Sequence, residues 1–214
     1  MELIDDNLVH IAKFDLNGGA MAGRHAATVV ELVTRQIAEM EGSIELAHEG
    51  GWGGRVKKQK GQLAGCVEGR MREVAKLMSA ALPTQQVKVA RMSKELPRFT
   101  SDPDPKATER ALAVLTFVEA IRTSSNYGGF ASARAKVLEK AAEQLDFYVE
   151  ESLALIRDGS VRDFNLAASY LEVAANCAAL IREPRAGDIV RRRTVVAVDQ
   201  ARGLATPEPP PVSD

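Results

Sequence analysis

The sequence predicts an all-α fold, a bundle of five or six helices followed by a disordered proline-rich tail. Alanine is abundant, at 32 of 214 residues, whereas aromatic residues make up only 5% of the chain. Alanine loses no side-chain entropy when a helix forms, and it gives a β-strand little surface to pack. Apolar residues also recur at every third or fourth position, which places them on one face of a helix.

The first predicted helix follows a lead segment, residues 1–19, and its apolar residues share one face. These residues are Ala22, Ala26, Val29, Val33, Ile37, Met40 and Ile44. We expect the glycine-rich stretch Gly50–Gly54 to end this helix and to form a flexible interhelical loop. A second apolar stripe predicts a second helix, which ends before Pro83. It consists of Leu63, Val67, Met71, Val74, Met78 and Ala81.

Residues 84–96 are compatible with two structures. Val87 and Val89 alternate as in a strand, but the segment is short enough to form one or two helical turns instead. The next helix has a clear start, because Asp104 can cap it and Pro105 suits the first helical position. Its predicted inner face consists of Ala107, Ala111, Leu115, Val118 and Ile121.

The fourth predicted helix is the longest, and Gly159 is expected to end it in a left-handed conformation. Its inner face consists of Leu138, Ala141, Leu145, Tyr148, Ser152 and Ile156. Ser160, with Asp163 three residues later, resembles a capping box for a fifth helix that runs to about Arg182.

Residues 188–201 have conflicting local signals. Four β-branched residues, Thr194, Val195, Val196 and Val198, favour a strand. A lone strand would lack a partner in a helical chain, so we predict a sixth helix. We therefore expect one helical domain over residues 20–203 and a disordered tail over residues 204–214, where four prolines prevent regular hydrogen bonding.

The sequence favours no catalytic, metal or cofactor site. Glu45 and His48 have the spacing found in carboxylate-bridged iron sites, but such sites need a second copy, and no other histidine follows a glutamate at that spacing. Two cysteines cannot form a disulfide framework or a four-cysteine zinc site. The acidic N-terminus disfavours a secretion signal. The polar residues within Phe164–Ile181 disfavour a membrane span, so we expect a cytoplasmic protein.

Charge is the most specific functional signal. Residues 55–98 carry 11 basic and 3 acidic side chains, net +8, within a chain of net charge −1. The candidate docking residues are Arg55, Lys57, Lys58, Lys60, Arg70, Arg72, Lys76, Lys88, Arg91 and Lys94. They could form a docking surface for nucleic acid or an acidic protein, or they could pair with the acidic first helix in the same chain or in a dimer mate.

A polar stripe on the fifth helix is a second candidate. It consists of four residues that project within about 60° of one another: Asn165, Ser169, Glu172 and Asn176. They form either a solvent-facing strip or the lining of a groove. The strip is favoured, because helices usually keep one face in contact with water.

Together these features suggest a non-enzymatic interaction or regulatory protein, a homo-oligomer that binds an acidic protein or its own second copy. The alternative is a nucleic-acid-associated protein that uses residues 55–98. That segment contains no aromatic residue, which disfavours binding of single strands by base stacking.

Overall fold

The computed structural model describes residues 2–43, 51–89 and 92–205, and it confirms the all-α class. The helices are α1 (Glu2–Ala12), α2 (Gly19–Ser43), α3 (Trp52–Met71), α4 (Val74–Ala81), α5 (Pro105–Ala120), α6 (Ala131–Arg157), α7 (Phe164–Ile181) and α8 (Pro184–Ala205). A short 3-10 helix, Leu16–Gly18, precedes α2, and the strands β1 (Thr84–Val89) and β2 (Met92–Pro97) precede α5.

The chain divides into two compact units. The first unit comprises Met1–Ala81 and Asp104–Gln144, and the second comprises Leu82–Pro103 and Leu145–Asp214.

The described residues contain more helices than the five or six predicted, for two reasons. The lead segment forms α1, whose inward residues Ile4, Leu8 and Ile11 follow helical spacing. The predicted second helix is interrupted at Arg72 and Glu73, which separate α3 from α4. Its apolar stripe nevertheless continues across the break, because all six of its residues are buried.

The core of the first unit is built around α5, whose residues Ala113–Val118 are all buried. The backbones of α2 and α5 approach closely at Gly23, where an added Cβ would lie 2.2 Å from the carbonyl oxygen of Ala113. Only glycine fits this crossing. Val33 and Ile37, from the predicted stripe on α2, are also buried.

Two predicted helix boundaries are confirmed, and one is wrong. Asp104 caps α5 and accepts a hydrogen bond from the Lys106 N–H at 3.0 Å, with Pro105 in the first helical position. Gly159 has a φ of 66°, as expected for a left-handed end to α6. The capping box beginning at Ser160 does not form, because Asp163 itself caps α7 and accepts from the N–H groups of Asn165 and Leu166.

The ambiguous segment at residues 84–96 lies in the second unit and forms a β-hairpin. β1 and β2 pair antiparallel, with Thr84 opposite Pro97 and Val89 opposite Met92. A partner strand only a few residues away satisfies the backbone groups that a single strand would leave unpaired.

The prediction of a sixth helix is confirmed by α8. Its β-branched residues do not form a strand, because every third or fourth side chain from Val190 to Ala201 is buried. At Gly187 an added Cβ would lie 2.6 Å from the Ala175 carbonyl oxygen, so α8 lies tightly against α7. Leu204 and Ala205 belong to α8 rather than to the predicted tail, and residues 206–214 lie outside the described part of the chain.

Within the described ranges, α7 is the one helix long and apolar enough to cross a membrane by length and composition. Half of that stretch is buried inside the protein itself, and core helices of soluble proteins pass the same test. Leu171, near its middle, is only 1% exposed.

Candidate interaction surface

The first half of the basic segment is helical, so the prediction of a flexible loop over Gly50–Gly54 is wrong for its described part. Gly51, with a φ of 96°, precedes α3, and Gly53 and Gly54 lie in the first turn of that helix. Arg55, Lys57 and Lys58 therefore project from α3. Gly50 lies outside the described residues.

Lys60 is paired inside the first unit. Its Nζ lies 3.1 Å from a carboxylate oxygen of Glu41 on α2 and 4.1 Å from the centre of the Tyr127 ring. The Tyr127 hydroxyl donates to the same carboxylate. This hydrogen bond and, to a smaller extent, Lys60 lower the pKa of Glu41, whereas the bond to Glu41 raises the pKa of Tyr127 to about 12. The three groups connect α2, α3 and the segment between α5 and α6.

Arg70 is also committed to the fold of the first unit. Its guanidinium pairs with Glu73 at 3.1 Å and donates to the carbonyl oxygens of Ile11, Ala12 and Phe14. It lies 5.0 Å from the centre of the Phe14 ring. Arg70 therefore holds the chain between α1 and α2 in place and is a poor candidate for contact with another molecule.

The other basic candidates in the first unit are free of such contacts. Arg55, Lys57, Lys58, Arg72 and Lys76 are exposed, and none forms an ion pair with any residue that the structure describes. The proposed internal pairing with the acidic first helix thus applies to Lys60 and Glu41. Glu31 pairs instead with Arg35 of its own helix, at 3.1 Å, while Glu45 and Glu49 are outside the described ranges.

In the second unit, Lys88 is exposed on β1, and Lys94 on β2 pairs with Glu151 of α6 at 2.8 Å. Arg91 is outside the described residues. The nine basic candidates that the structure describes are therefore divided between the two units.

One face of α3 combines glycine with positive charge, and sequence reasoning missed it. We define the outer face of α3 by five residues spaced three or four apart, four of them within the helix and Arg72 at its C-terminal cap; they lie within about 80° of one another. They are Lys58, Gly61, Gly65, Gly69 and Arg72. The repeated spacing of four between the glycines was the signal in the sequence.

The space over these glycines is open. A Cβ added at Gly61 or Gly65 would meet no atom within 4 Å, and one at Gly69 would meet only the end of the Arg72 side chain, at 3.8 Å. The opposite side of α3 carries the buried residues Val56, Leu63 and Val67. The outer face is therefore uncovered within the described chain.

The polar stripe on α7 lies along α8. Arg191 donates to Glu172 at 2.9 Å and to Asn176 at 2.8 Å, and the bond to Glu172 raises the pKa of Arg191. Arg202 donates to the Asn165 side chain at 2.9 Å, and the Ser169 hydroxyl donates to the Asn165 carbonyl oxygen at 3.0 Å. Asn165, Glu172 and Asn176 thus help join α7 to α8, whereas the hydrogen bond of Ser169 stays within α7.

Neither cysteine has the environment of a reactive thiol. Burial raises the pKa of the Cys177 thiol to about 12 and also raises that of Cys66, which suppresses the thiolate form. No group of three histidine, cysteine or carboxylate side chains in the described ranges could hold a metal ion. The Glu45 and His48 pair lies outside those ranges.

Comparison of the chain with protein-family models, with curated proteins and with solved structures gives no match. The function is therefore inferred from the geometry and charge of this chain alone.

Proposed function

We propose that this is a non-enzymatic interaction protein that binds an acidic helical partner through the outer face of α3. One observation carries the proposal: the basic side chains near this helix fall into two groups. Lys60 and Arg70 pair with groups of their own fold, whereas Lys58 and Arg72 are exposed and form no ion pair with described residues. Cations that the fold does not use are available to an acidic partner.

The glycines between these two cations support a helical partner. Glycine in the interior of a helix destabilises it by about 1 kcal/mol relative to alanine, and neighbouring atoms would not prevent alanine at Gly61 or Gly65. Without Cβ atoms, the backbone of a second helix can approach closely. Lys58 and Arg72 are separated by about 21 Å along the helix axis, at ~1.5 Å per residue, which matches about four turns of a partner helix.

A protein partner fits this face better than nucleic acid does. Strong, salt-sensitive binding of nucleic acid involves about 6–10 phosphate contacts. The outer face has two cations, with Arg55 and Lys57 on its flanks, and Lys94 in the second unit is already paired. Binding of nucleic acid is nevertheless the alternative that the experiment must distinguish.

The proposal is tested with two defined probes, a glutamate-rich amphipathic helical peptide and a random-sequence DNA duplex of equal total charge. The charge-reversal variant Lys58→Glu/Arg72→Glu should bind the peptide at least about tenfold more weakly than the wild type. Its matched control reverses two exposed lysines elsewhere in the first unit, Lys106→Glu/Lys136→Glu, and should bind within about twofold of the wild type.

Two results would contradict the proposal. If both double variants lose affinity equally, the peptide is attracted by overall charge and not by the outer face of α3. If the duplex binds more tightly than the peptide, with an affinity that falls steeply with salt concentration, the protein is a nucleic-acid binder. Sedimentation of the wild type without a probe measures its oligomeric state and so shows whether a second copy of this chain is the partner.

A further inference from the structure

A cleft in the first unit lies between the end of α1 and the first turns of α2. It has a volume of about 480 Å³, within the size range typical of small-molecule sites. Phe14, Ala22, Ala26 and Val29 supply its apolar lining. Two of the three histidines of the protein, His10 and His25, also line it, although they are 15 residues apart in the sequence.

The polar groups of this cleft are unequally satisfied. The Asp15 carboxylate accepts hydrogen bonds from the backbone N–H and the side-chain amide of Asn17, both at 2.9 Å. In contrast, the side chains of His10, Lys13 and His25 have no hydrogen bond or ion pair to any residue in the described ranges. Each of these three groups can donate a hydrogen bond, and Lys13 carries a positive charge.

The wall of the cleft is held in shape by the fold. Arg70 donates to the carbonyl oxygens of Ile11, Ala12 and Phe14, which form the backbone beside the cleft. The Phe14 ring also packs against Phe117 of α5, with ring centres 5.2 Å apart. Because these contacts exist without a ligand, little of the binding free energy would be needed to order the site.

We propose that this cleft binds a small monocarboxylate with an apolar body. The apolar body would lie over Phe14 and the alanines of α2, and the carboxylate would accept hydrogen bonds from Lys13 and the two histidines. A singly charged head suits the site better than a phosphate, because Lys13 supplies one positive charge and Asp15 at the same rim repels a dianion more strongly than a monoanion. The cleft shares no residue with the outer face of α3. The carboxylate site and the binding of a helical partner are therefore independent proposals, and either can be wrong without the other.

The test compares three probes with the same eight-carbon chain: octanoate, 1-octanol and octylamine. Binding is followed by changes in the backbone amide resonances of Ala22 and His25 in the ¹⁵N-labelled full-length protein. Octanoate should bind about tenfold more tightly than octanol, the ratio expected for hydrogen bonds to a charged group, and octylamine should bind more weakly than octanoate because Lys13 repels its ammonium group.

Two variants test separately the contacts of the carboxylate head and the contacts of the apolar body. Lys13→Gln/His25→Gln changes exposed side chains and should reduce the preference for octanoate over octanol to less than about twofold. Ala22→Leu should occupy the cleft and weaken both probes by about fivefold or more. The matched controls Lys136→Gln and Ala75→Leu change exposed positions outside the cleft and should leave the affinity of both probes unchanged.

The proposal is overturned if octanoate and octanol bind equally to the wild type, or if Ala22→Leu leaves both affinities intact while circular dichroism shows a folded protein. It is also overturned if the resonances that move lie outside α1, the 3-10 helix and α2. If Ala22→Leu fails to fold, the Lys13→Gln/His25→Gln variant still decides the matter, because a preference for octanoate that survives it contradicts the proposed site.

Discussion

Replacing Gly61 and Gly65 by alanine should stabilise the protein. Both lie in the interior of α3, where alanine is favoured over glycine by about 1 kcal/mol, and an added Cβ would meet no atom within 4 Å at either position. The two sites are one helical turn apart, and neither substitution disturbs packing. The double variant Gly61→Ala/Gly65→Ala should therefore raise the free energy of unfolding by about 2 kcal/mol.

Urea denaturation measures this change. Unfolding should be followed both by circular dichroism and by the fluorescence of Trp52, which lies at the start of α3 and reports on the first unit. The matched control is Gly23→Ala, where the added Cβ would lie 2.2 Å from the Ala113 carbonyl oxygen. This control should lower the free energy of unfolding by about 1–3 kcal/mol, because α2 and α5 must move apart.

The same double variant should weaken binding of the acidic peptide while it stabilises the fold. These opposite effects distinguish a contact surface from a structural defect, because a damaged fold would lose both stability and binding. If the double variant is less stable than the wild type, the outer face of α3 is covered in solution. Our inference that a partner can use it would then fail.

Three further predictions concern the interior and the charged contacts. Leu171→Ala should lower the free energy of unfolding by about 2–5 kcal/mol, because this side chain of α7 is only 1% exposed. A denaturation midpoint equal to that of the wild type would show that α7 contributes little to the core. Lys60→Ala should lower the free energy of unfolding by about 1 kcal/mol, because the ion pair with Glu41 is lost. The control variant is Lys57→Ala on the same helix, where the lysine is exposed and forms no ion pair with described residues. Its free energy of unfolding in the same urea titration should equal that of the wild type. Tyr127→Phe should be less stable than the wild type at pH 8, and the difference should disappear at high pH. The pKa of Tyr127 is raised from 10.0 to about 12, so the stabilisation is complete below pH 10 and is lost as the pH rises towards 12; a difference that persists at pH 12 would contradict the hydrogen bond to Glu41.

Local chemistry determined the helices and several of their ends. The apolar stripe from Leu63 to Ala81 was buried as predicted, because helical spacing alone places those side chains on one face. Asp104, Pro105 and Gly159 act at the positions expected, because capping and left-handed backbone geometry depend on a few adjacent residues. The competing cap at Ser160 shows the limit of such patterns, since two neighbouring polar residues could both begin α7.

Tertiary structure decided what the charged and ambiguous residues do. Lys60 and Lys57 are alike in the sequence, but only Lys60 meets Glu41, because α2 and Tyr127 lie on its side of α3. The polar stripe of α7 was compatible with a solvent strip or a groove until α8 placed Arg191 and Arg202 beside it. The cleft lined by His10 and His25 likewise depends on the packing of α1 against α2. Packing between elements decides which side chains from distant parts of the chain come into contact. Composition and residue spacing describe each helix or strand by itself and carry no information about these contacts.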